Sequence, residues 1–193
     1  MPNPKPQMTE EDYLIFEHDS DIKYEFANGK VYAMAGASWN HTVIVSNMNT
    51  RLNVKLENSS CLSVTSDMKV RVISEKAYRF PDVIVVCGEP QFKDDDVDIL
   101  TNPTVLAEVM SPSTALVDRN EKLYEYFRIP TLQEYLIISQ DRVRVERFLR
   151  DADNDEWRYT ERISLDQTLD LPSLNCTLSL REIYNQVQFK SDK

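Results

Sequence analysis

Apolar residues recur along this chain with the periods of both strands and helices. The runs Arg79 to Val86 and Val105 to Met110 are almost continuously apolar and rich in β-branched residues, which predicts two buried strands. Tyr135 to Ile138 has the same unbroken character and predicts a further, central strand. Apolar residues at helical spacing predict a long helix from about Trp39 to Glu57. The pattern therefore indicates a mixed α and β fold with a buried sheet.

Turn and capping signals place the remaining elements. Asn28-Gly29 between two alternating runs predicts a β-hairpin. Thr9 is a predicted helix cap, and Ser179 with Glu182 forms a predicted capping box. The other predicted elements are a strand at Met68–Val72 that forms a hairpin with the Arg79 run, an acidic loop from Gly88 to Pro103, a helix from about Ala115 to Phe127, a hairpin of Arg142–Arg150 with Trp157–Ile163, and a last helix ending near Val187.

The length of 193 residues suits one domain, which we expect to span residues 8–188. The proline-rich stretch 1–7 and the short stretch 189–193 are expected to be disordered tails. No apolar run approaches the roughly 20 residues that a membrane helix needs, so we expect no membrane association.

Cysteine and histidine usage limits the metal sites and disulfides that the sequence predicts. Cys61, Cys87 and Cys176 are odd in number and widely spaced, which matches neither a zinc site nor a disulfide framework. We therefore expect buried free thiols and a reducing, cytoplasmic setting. With only two histidines in the chain, a histidine-rich metal site is excluded.

The formal net charge of −10 argues against a broad nucleic-acid-binding surface. Two clusters within predicted loops hold eight acidic residues and no Lys or Arg, so the remaining body is nearly neutral and could hold a local basic groove. These eight residues are Asp94, Asp95, Asp96, Asp98, Asp151, Asp153, Asp155 and Glu156.

Two acids stand inside the buried apolar runs. Asp82 and Glu108 would each cost several kcal/mol as uncompensated charges, and a shared divalent cation is one compensation. The alternative is a structural ion-pair cluster in which Arg79 or Lys69 neutralises them. Lys122, on the helix after the Glu108 strand, could reach the same place.

Lys122 and His41 each have a structural interpretation as well as a functional one. Lys122 could instead pair with Asp118 at i, i+4 spacing on a solvated helix face. His41, in the first turn of the long helix, could contact a substrate phosphate, or could be a surface or capping side chain.

A family resemblance favours the metal site. Pro81-Asp82, Glu108-Val109-Met110 and Lys122 resemble the PD-(D/E)XK nuclease superfamily, and the chain more narrowly resembles the Uma2 family, a DUF820-type restriction-endonuclease group. The residues that carry the narrower resemblance are Tyr24-Glu25-Phe26, Asn28-Gly29, His41, Pro81-Asp82-Val83, Glu108 to Thr114, Asp118, Lys122, Tyr126 and Glu134-Tyr135.

The resemblance implies a restriction-endonuclease-like core of α/β (α+β) class, with a mixed central sheet flanked by helices. The C-terminal hairpin and helix would be additions to that core. It implies that Asp82, Glu108 and the backbone carbonyl of Val109 hold Mg²⁺, for which Mn²⁺ could substitute. The superfamily lysine two residues after the glutamate is Met110 here, and Lys122 would replace it. Glu25 and His41 would support the site.

The expected function is a Mg²⁺-dependent endonuclease that hydrolyses phosphodiester bonds of nucleic acid, with DNA as the expected substrate. The alternative is a catalytically weak or inactive nuclease-fold module that binds nucleic acid or a protein partner. A glycosidase using the two acids is weaker, because neither Trp lies near them and Lys122 would lack a role. A homodimer is expected only by analogy with nucleases that cut two strands.

Overall fold

The computed structural model describes residues 8–34, 36–72, 74, 76–93, 96–110 and 118–189. Its strands are β1 (Tyr24–Ala27), β2 (Lys30–Ala33), β3 (Cys61–Thr65), β4 (Lys69–Val72), β5 (Ala77–Arg79), β6 (Val83–Cys87), β7 (Phe92–Lys93), β8 (Asp96–Leu100), β9 (Val105–Met110), β10 (Glu134–Ser139), β11 (Val145–Arg150), β12 (Trp157–Arg162), β13 (Thr168–Leu171) and β14 (Cys176–Ser179). Its helices are α1 (Glu10–His18), α2 (Trp39–Leu56), a π-helical segment (Asp118–Lys122) that continues into α3 (Leu123–Tyr126), a 3-10 turn (Pro172–Leu174) and α4 (Leu180–Ile183).

The strands form two mixed six-stranded sheets and one two-stranded ribbon. The first sheet has the order β2-β1-β5-β4-β8-β7 and the second has the order β12-β11-β10-β9-β6-β3, while β13 pairs with β14. β9 and β10 run parallel, and β6 joins β9 in antiparallel register. The mixed α and β class predicted from the sequence is confirmed.

Helix α2 packs its apolar face on the second sheet and forms the larger core with it. Ile44, Met48 and Leu52 recur at helical spacing and are fully buried against Val83 and Val105 of the sheet. Each such side chain contributes about 1.5–3 kcal/mol through burial of apolar surface. Ser38 caps the helix by accepting a hydrogen bond from the His41 amide. This packing fixes the first turn of α2 beside the start of β6.

The predicted strand from Arg79 to Val86 is in fact two strands in different sheets. Arg79 ends β5 in the first sheet, and Val83 begins β6 in the second. Pro81 separates them because it has no amide hydrogen to continue a ladder. The predicted hairpin partner of β4 is therefore β5 alone. Asp82 lies where the chain passes from one sheet to the other.

The predicted acidic loop from Gly88 to Pro103 is also wrong in part. β7 and β8 form an antiparallel pair in this region, and Ile99 and Leu100 of β8 are buried beside β4. The two apolar side chains supply enough buried surface to hold β8 in the sheet despite its aspartates.

The other predicted helices and the predicted C-terminal hairpin agree more closely with the structure. β10 is buried along its whole length, and β11 with β12 forms the predicted hairpin at the sheet edge. The capping box of Ser179 and Glu182 is present, but α4 ends at Ile183 instead of Val187. The predicted helix from Ala115 is helical over 118–126, and its first residues lie outside the described ones. Among the described residues, no helix is long and apolar enough to cross a membrane.

The expectation of three free thiols is wrong, because Cys61 and Cys87 form a disulfide across β3 and β6. The two residues are direct partners in the antiparallel register, which sequence spacing could not reveal. Cys176 is a free, half-buried thiol. The bond removes the basis on which the spacing suggested a reducing, cytoplasmic setting.

The disulfide predicts a thiol count and a stability difference. We expect the denatured, unreduced protein to titrate with one thiol per chain, and reduction to lower the free energy of unfolding by about 2–4 kcal/mol through the freed loop. Thiol titration and urea unfolding with and without reductant measure both. Three titratable thiols in protein purified under air would contradict the pairing.

Candidate active site

The predicted site residues gather where β6 and β9 lie side by side. Val83 pairs with Ala107 in antiparallel register, and one further step of that register places Asp82 opposite Glu108. Residues opposite each other on neighbouring strands have side chains within reach of one another. The two acids thus occupy neighbouring positions at one end of two core strands.

Asp82 is held by the backbone and by a histidine. Its Oδ2 accepts a hydrogen bond from the Val109 amide at 2.7 Å and lies 3.1 Å from His41 Nε2. His41 reaches Asp82 from the first turn of α2. The side chain of His41 is therefore neither a surface group nor a helix cap, and it contacts the acid that the sequence placed at the site.

Glu108 lies in a second, buried group with Lys122, Tyr126 and Glu25. Lys122 Nζ lies 3.0 Å from Glu108 Oε1 and 3.1 Å from Glu25 Oε1. Tyr126 donates its phenolic hydrogen to Glu108 Oε1 at 2.7 Å. Lys122 and Tyr126 meet the same oxygen because they lie four residues apart on one helical face. The solvated-face interpretation of Lys122 is wrong, since its side chain is buried.

Arg79 is a member of this cluster, but its partners are Glu25 and Glu125 and not the acids that the sequence suggested. It is 1% exposed, donates from Nε and Nη2 to the two oxygens of Glu125 at 2.8 Å, and donates from Nη1 to Glu25 at 2.9 Å. Glu125 was also missed. The signal was present, since both charged residues stand among apolar neighbours in the sequence, but their sequence separation of 46 hid the pairing.

The structure does not contain the alternative ion-pair cluster, in which Arg79 or Lys69 would neutralise Asp82 and Glu108. Arg79 neutralises Glu25 and Glu125, and Lys69 pairs with Glu17 at 2.6 Å. Neither cation is paired with Asp82 or Glu108. Lys122 is the cation on Glu108 instead.

The cluster controls the ionisation of Glu25 and Tyr126. Burial raises the pKa of the Glu25 carboxyl, but the charges of Lys122 and Arg79 outweigh burial and hold that pKa at about 2. Burial raises the pKa of the Tyr126 phenol well above its usual value, and the Glu108 charge adds to this. Glu25 is therefore an anion and Tyr126 a neutral hydrogen-bond donor at neutral pH.

The depressed pKa predicts how Glu25 contributes to stability. Because the folded-state pKa is about 2 and the ordinary value is 4.5, the contribution is complete above pH 4.5 and is lost as the pH falls through 2. We expect the stability difference between wild type and Glu25→Gln to shrink by roughly 2–3 kcal/mol between pH 6 and pH 2. Urea unfolding across that range measures it, and a constant difference would contradict the charge pairing.

The net charge and the oxygen donors of the site bear on whether a divalent cation fits there. Glu25, Glu108 and Glu125 carry three negative charges against the two positive charges of Arg79 and Lys122, so the buried cluster is negative by one. Among the described residues, no three Asp, Glu, His or Cys side chains converge as a metal site. Mg²⁺ commonly binds through only one or two carboxylates and keeps several waters. Two acids, a carbonyl and excess negative charge fit that ion.

A cleft of about 380 Å³ opens onto Asp82 and His41. Exposed and half-buried side chains of α2 form one wall, and Thr65 and Ser66 at the end of β3 form another. Asp82 and His41 thus line an open cleft, while Glu108, Lys122 and Glu25 are buried.

Mixed sheets, acids on two adjacent core strands and a lysine on the following helix together define a restriction-endonuclease-like protein. The chain belongs to the Uma2 family, whose sequence model, described as "Putative restriction endonuclease", matches residues 10–181. The family predicted from the sequence is confirmed.

The chain is also similar to three other proteins. It is 37% identical to the uncharacterized protein sll1609 of Synechocystis over 80% of this chain and 86% of the relative. It is 32% identical to the uncharacterized protein slr1290 of the same organism over 96% of each. A crystal structure of "a putative nuclease belonging to DUF820" from Anabaena variabilis superposes with a TM-score of 0.76 at 15% identity, over 94% of this chain and 99% of the other. That likeness shows the fold.

Proposed function

We propose that this protein is a Mg²⁺-dependent endonuclease that hydrolyses phosphodiester bonds of DNA. The observation that carries the proposal is the position of Asp82, directly before β6, opposite Glu108 of β9, with Lys122 bonded to Glu108. The family description and the nuclease-like fold support the reaction class.

Asp82, Glu108 and the Val109 carbonyl would hold the metal, and Mn²⁺ would be accepted in place of Mg²⁺. A divalent cation there lowers the pKa of a bound water and offsets charge on the scissile phosphate. The Val109 amide and His41 orient the Asp82 carboxylate from two sides. These two contacts fix the rotamer of Asp82 and thereby set the direction of its other carboxylate oxygen.

Lys122 would orient the attacking water and offset negative charge that develops in the transition state. Its ammonium is placed for this role by Glu108 and Glu25, which lie 3.0 and 3.1 Å away. Glu25 pairs with Lys122, and Arg79 in turn pairs with Glu25 and Glu125. His41, at the cleft side of Asp82, is the proposed phosphate contact.

A cleavage assay tests the proposal directly. Labelled single-stranded and duplex DNA, and RNA of the same sequence, are incubated with wild type, Asp82→Asn and Asp153→Asn in Mg²⁺ or Mn²⁺. Asp153 is exposed in the acidic turn after β11 and serves as the matched control. We expect metal-dependent cleavage by wild type and Asp153→Asn, and none by Asp82→Asn. Equal cleavage by all three proteins would overturn the assignment.

A non-catalytic binding module is the second candidate, and one observation favours it. Both acids have protein partners without a metal, since His41 and Val109 contact Asp82 while Lys122 and Tyr126 contact Glu108. Such a module predicts nucleic-acid or protein binding that survives Asp82→Asn, with no hydrolysis. Light scattering after size-exclusion chromatography would show whether either form acts as a homodimer.

A further inference from the structure

The solvent-facing side of α2 is uncharged over its first three turns. Residues 39–50 contain no Asp, Glu, Lys or Arg, although 28% of the chain is charged. Trp39, Thr42, Ser46 and Thr50 are exposed on the side opposite the buried residues Ile44 and Met48. Surface helices of globular proteins ordinarily carry charged residues on the solvent face. Solvation alone therefore does not account for this face.

We call Trp39, Thr42, Ser46, Asn49 and Thr50 the α2 stripe. They follow one another at helical spacing, so they form a continuous line along the helix. The last four line the cleft that also contains His41 and Asp82. Among the described residues that line this cleft, none is a lysine or an arginine. The stripe is thus a neutral, hydrogen-bonding wall of the proposed active site.

Trp39 begins the stripe and is 75% exposed. The other tryptophan, Trp157, is stacked on Phe127 at 4.0 Å between ring centroids and has Arg150 over it. Trp residues in folded proteins are on average highly buried, because their large apolar surface is costly to leave in water. An exposed indole two residues from His41 is suited to stack on a flat ring of a ligand.

We propose that the α2 stripe binds single-stranded nucleic acid, with an unstacked base on the Trp39 indole and the sugar-phosphate chain along Ser46 and Thr50 toward Asp82. The link from this binding to hydrolysis rests on the proposed function. A single strand offers base faces to an aromatic side chain, and such stacking tolerates any sequence. In a duplex the faces are already stacked, and tight duplex binding relies on phosphate neutralisation by Lys and Arg. Because only an unpaired base offers a free face to the exposed Trp39 indole, the stripe favours a single strand over a duplex.

Fluorescence anisotropy with a labelled 12-nucleotide oligothymidine, in the absence of Mg²⁺ and Mn²⁺, tests the proposal. We expect Trp39→Ala to weaken binding by roughly 5- to 100-fold, the range that base stacking on an aromatic side chain supplies. Tyr159→Ala is the matched control, because Tyr159 is also an exposed aromatic residue but lies on β12, which three strands separate from β6. Binding should also quench tryptophan fluorescence in wild type and Tyr159→Ala, and the quenching should disappear in Trp39→Ala.

A charge substitution tests the remainder of the stripe. Ser46→Glu should weaken oligothymidine binding at least about 5-fold by repelling phosphate, whereas Val54→Glu, on the same helix beyond the cleft, should not. A duplex of equal length should bind more weakly than the single strand. Binding should depend only weakly on salt concentration, because the described residues that line the cleft include no Lys or Arg to displace counterions from the phosphates.

The outcomes separate this proposal from the proposed function. Unchanged oligothymidine binding in Trp39→Ala and Ser46→Glu, or no binding by wild type, overturns the α2 stripe as the binding surface whether or not the protein cleaves DNA. Binding that depends on Trp39 without any metal-dependent cleavage supports the stripe and overturns the nuclease. A preference for duplex with a steep salt dependence also overturns the single-strand assignment.

Discussion

Replacing Arg79 with alanine is expected to lower the free energy of unfolding by about 3–5 kcal/mol. The substitution leaves Glu25 and Glu125 buried with fewer cationic partners, since Arg79 bonds both oxygens of Glu125 and one of Glu25. An uncompensated buried charge costs far more than the ion pair contributed in net terms. Arg79→Lys should recover only part of the loss, because an ammonium cannot reproduce the two parallel bonds to Glu125.

Urea unfolding of the two variants measures this effect. Arg158→Ala is the control, because Arg158 pairs with Asp151 at 3.3 Å but its side chain is 69% exposed. Exposed ion pairs of this kind contribute at most about 1 kcal/mol. An Arg79→Ala loss no larger than the Arg158→Ala loss would contradict the buried cluster described here.

Replacing Lys122 with methionine is expected to reduce cleavage about 100- to 1,000-fold while preserving metal binding. The ammonium near Glu108 is proposed to assist the reaction, but it is not a proposed metal ligand. The variant also makes the buried cluster more negative by one charge. Added Mn²⁺ should therefore raise the melting temperature of Lys122→Met more than that of wild type, because the cation replaces the lost charge.

Single-turnover cleavage and thermal unfolding with and without Mn²⁺ measure these two effects. Lys55→Met is the control, since Lys55 is exposed in the last turn of α2. Full cleavage activity in Lys122→Met would remove Lys122 from the mechanism. Loss of metal binding in that variant would instead indicate that the substitution disturbs Glu108.

The sequence predicted those parts of the fold that depend on local pattern. The helical spacing of Ile44, Met48 and Leu52 placed α2, and the unbroken apolar run of β10 placed a central strand. The family resemblance placed Glu108 and Lys122 at one site, whereas spacing alone left a solvated position for Lys122 open. The structure brings them to 3.0 Å.

The features that the sequence did not predict depend on contacts between distant segments. Arg79 and Glu125 meet across 46 residues, and Cys61 and Cys87 meet only through the register of β3 and β6. The division between β5 and β6 at Pro81 could have been predicted, because proline interrupts the hydrogen-bond ladder of a strand. The long β-branched run around Pro81 outweighed that signal in the sequence interpretation.

Calorimetric titration shows whether Asp82 and Glu108 hold a divalent cation. Mn²⁺ and Mg²⁺ are titrated into wild type and Asp82→Asn, each with and without an uncleavable phosphorothioate oligonucleotide that can supply a phosphate ligand. Asparagine at position 82 still offers an oxygen to the Val109 amide, so the fold should persist. We predict saturable binding by wild type that is lost in Asp82→Asn. Equal binding by both proteins, or no binding by wild type even with the oligonucleotide, would contradict the metal site.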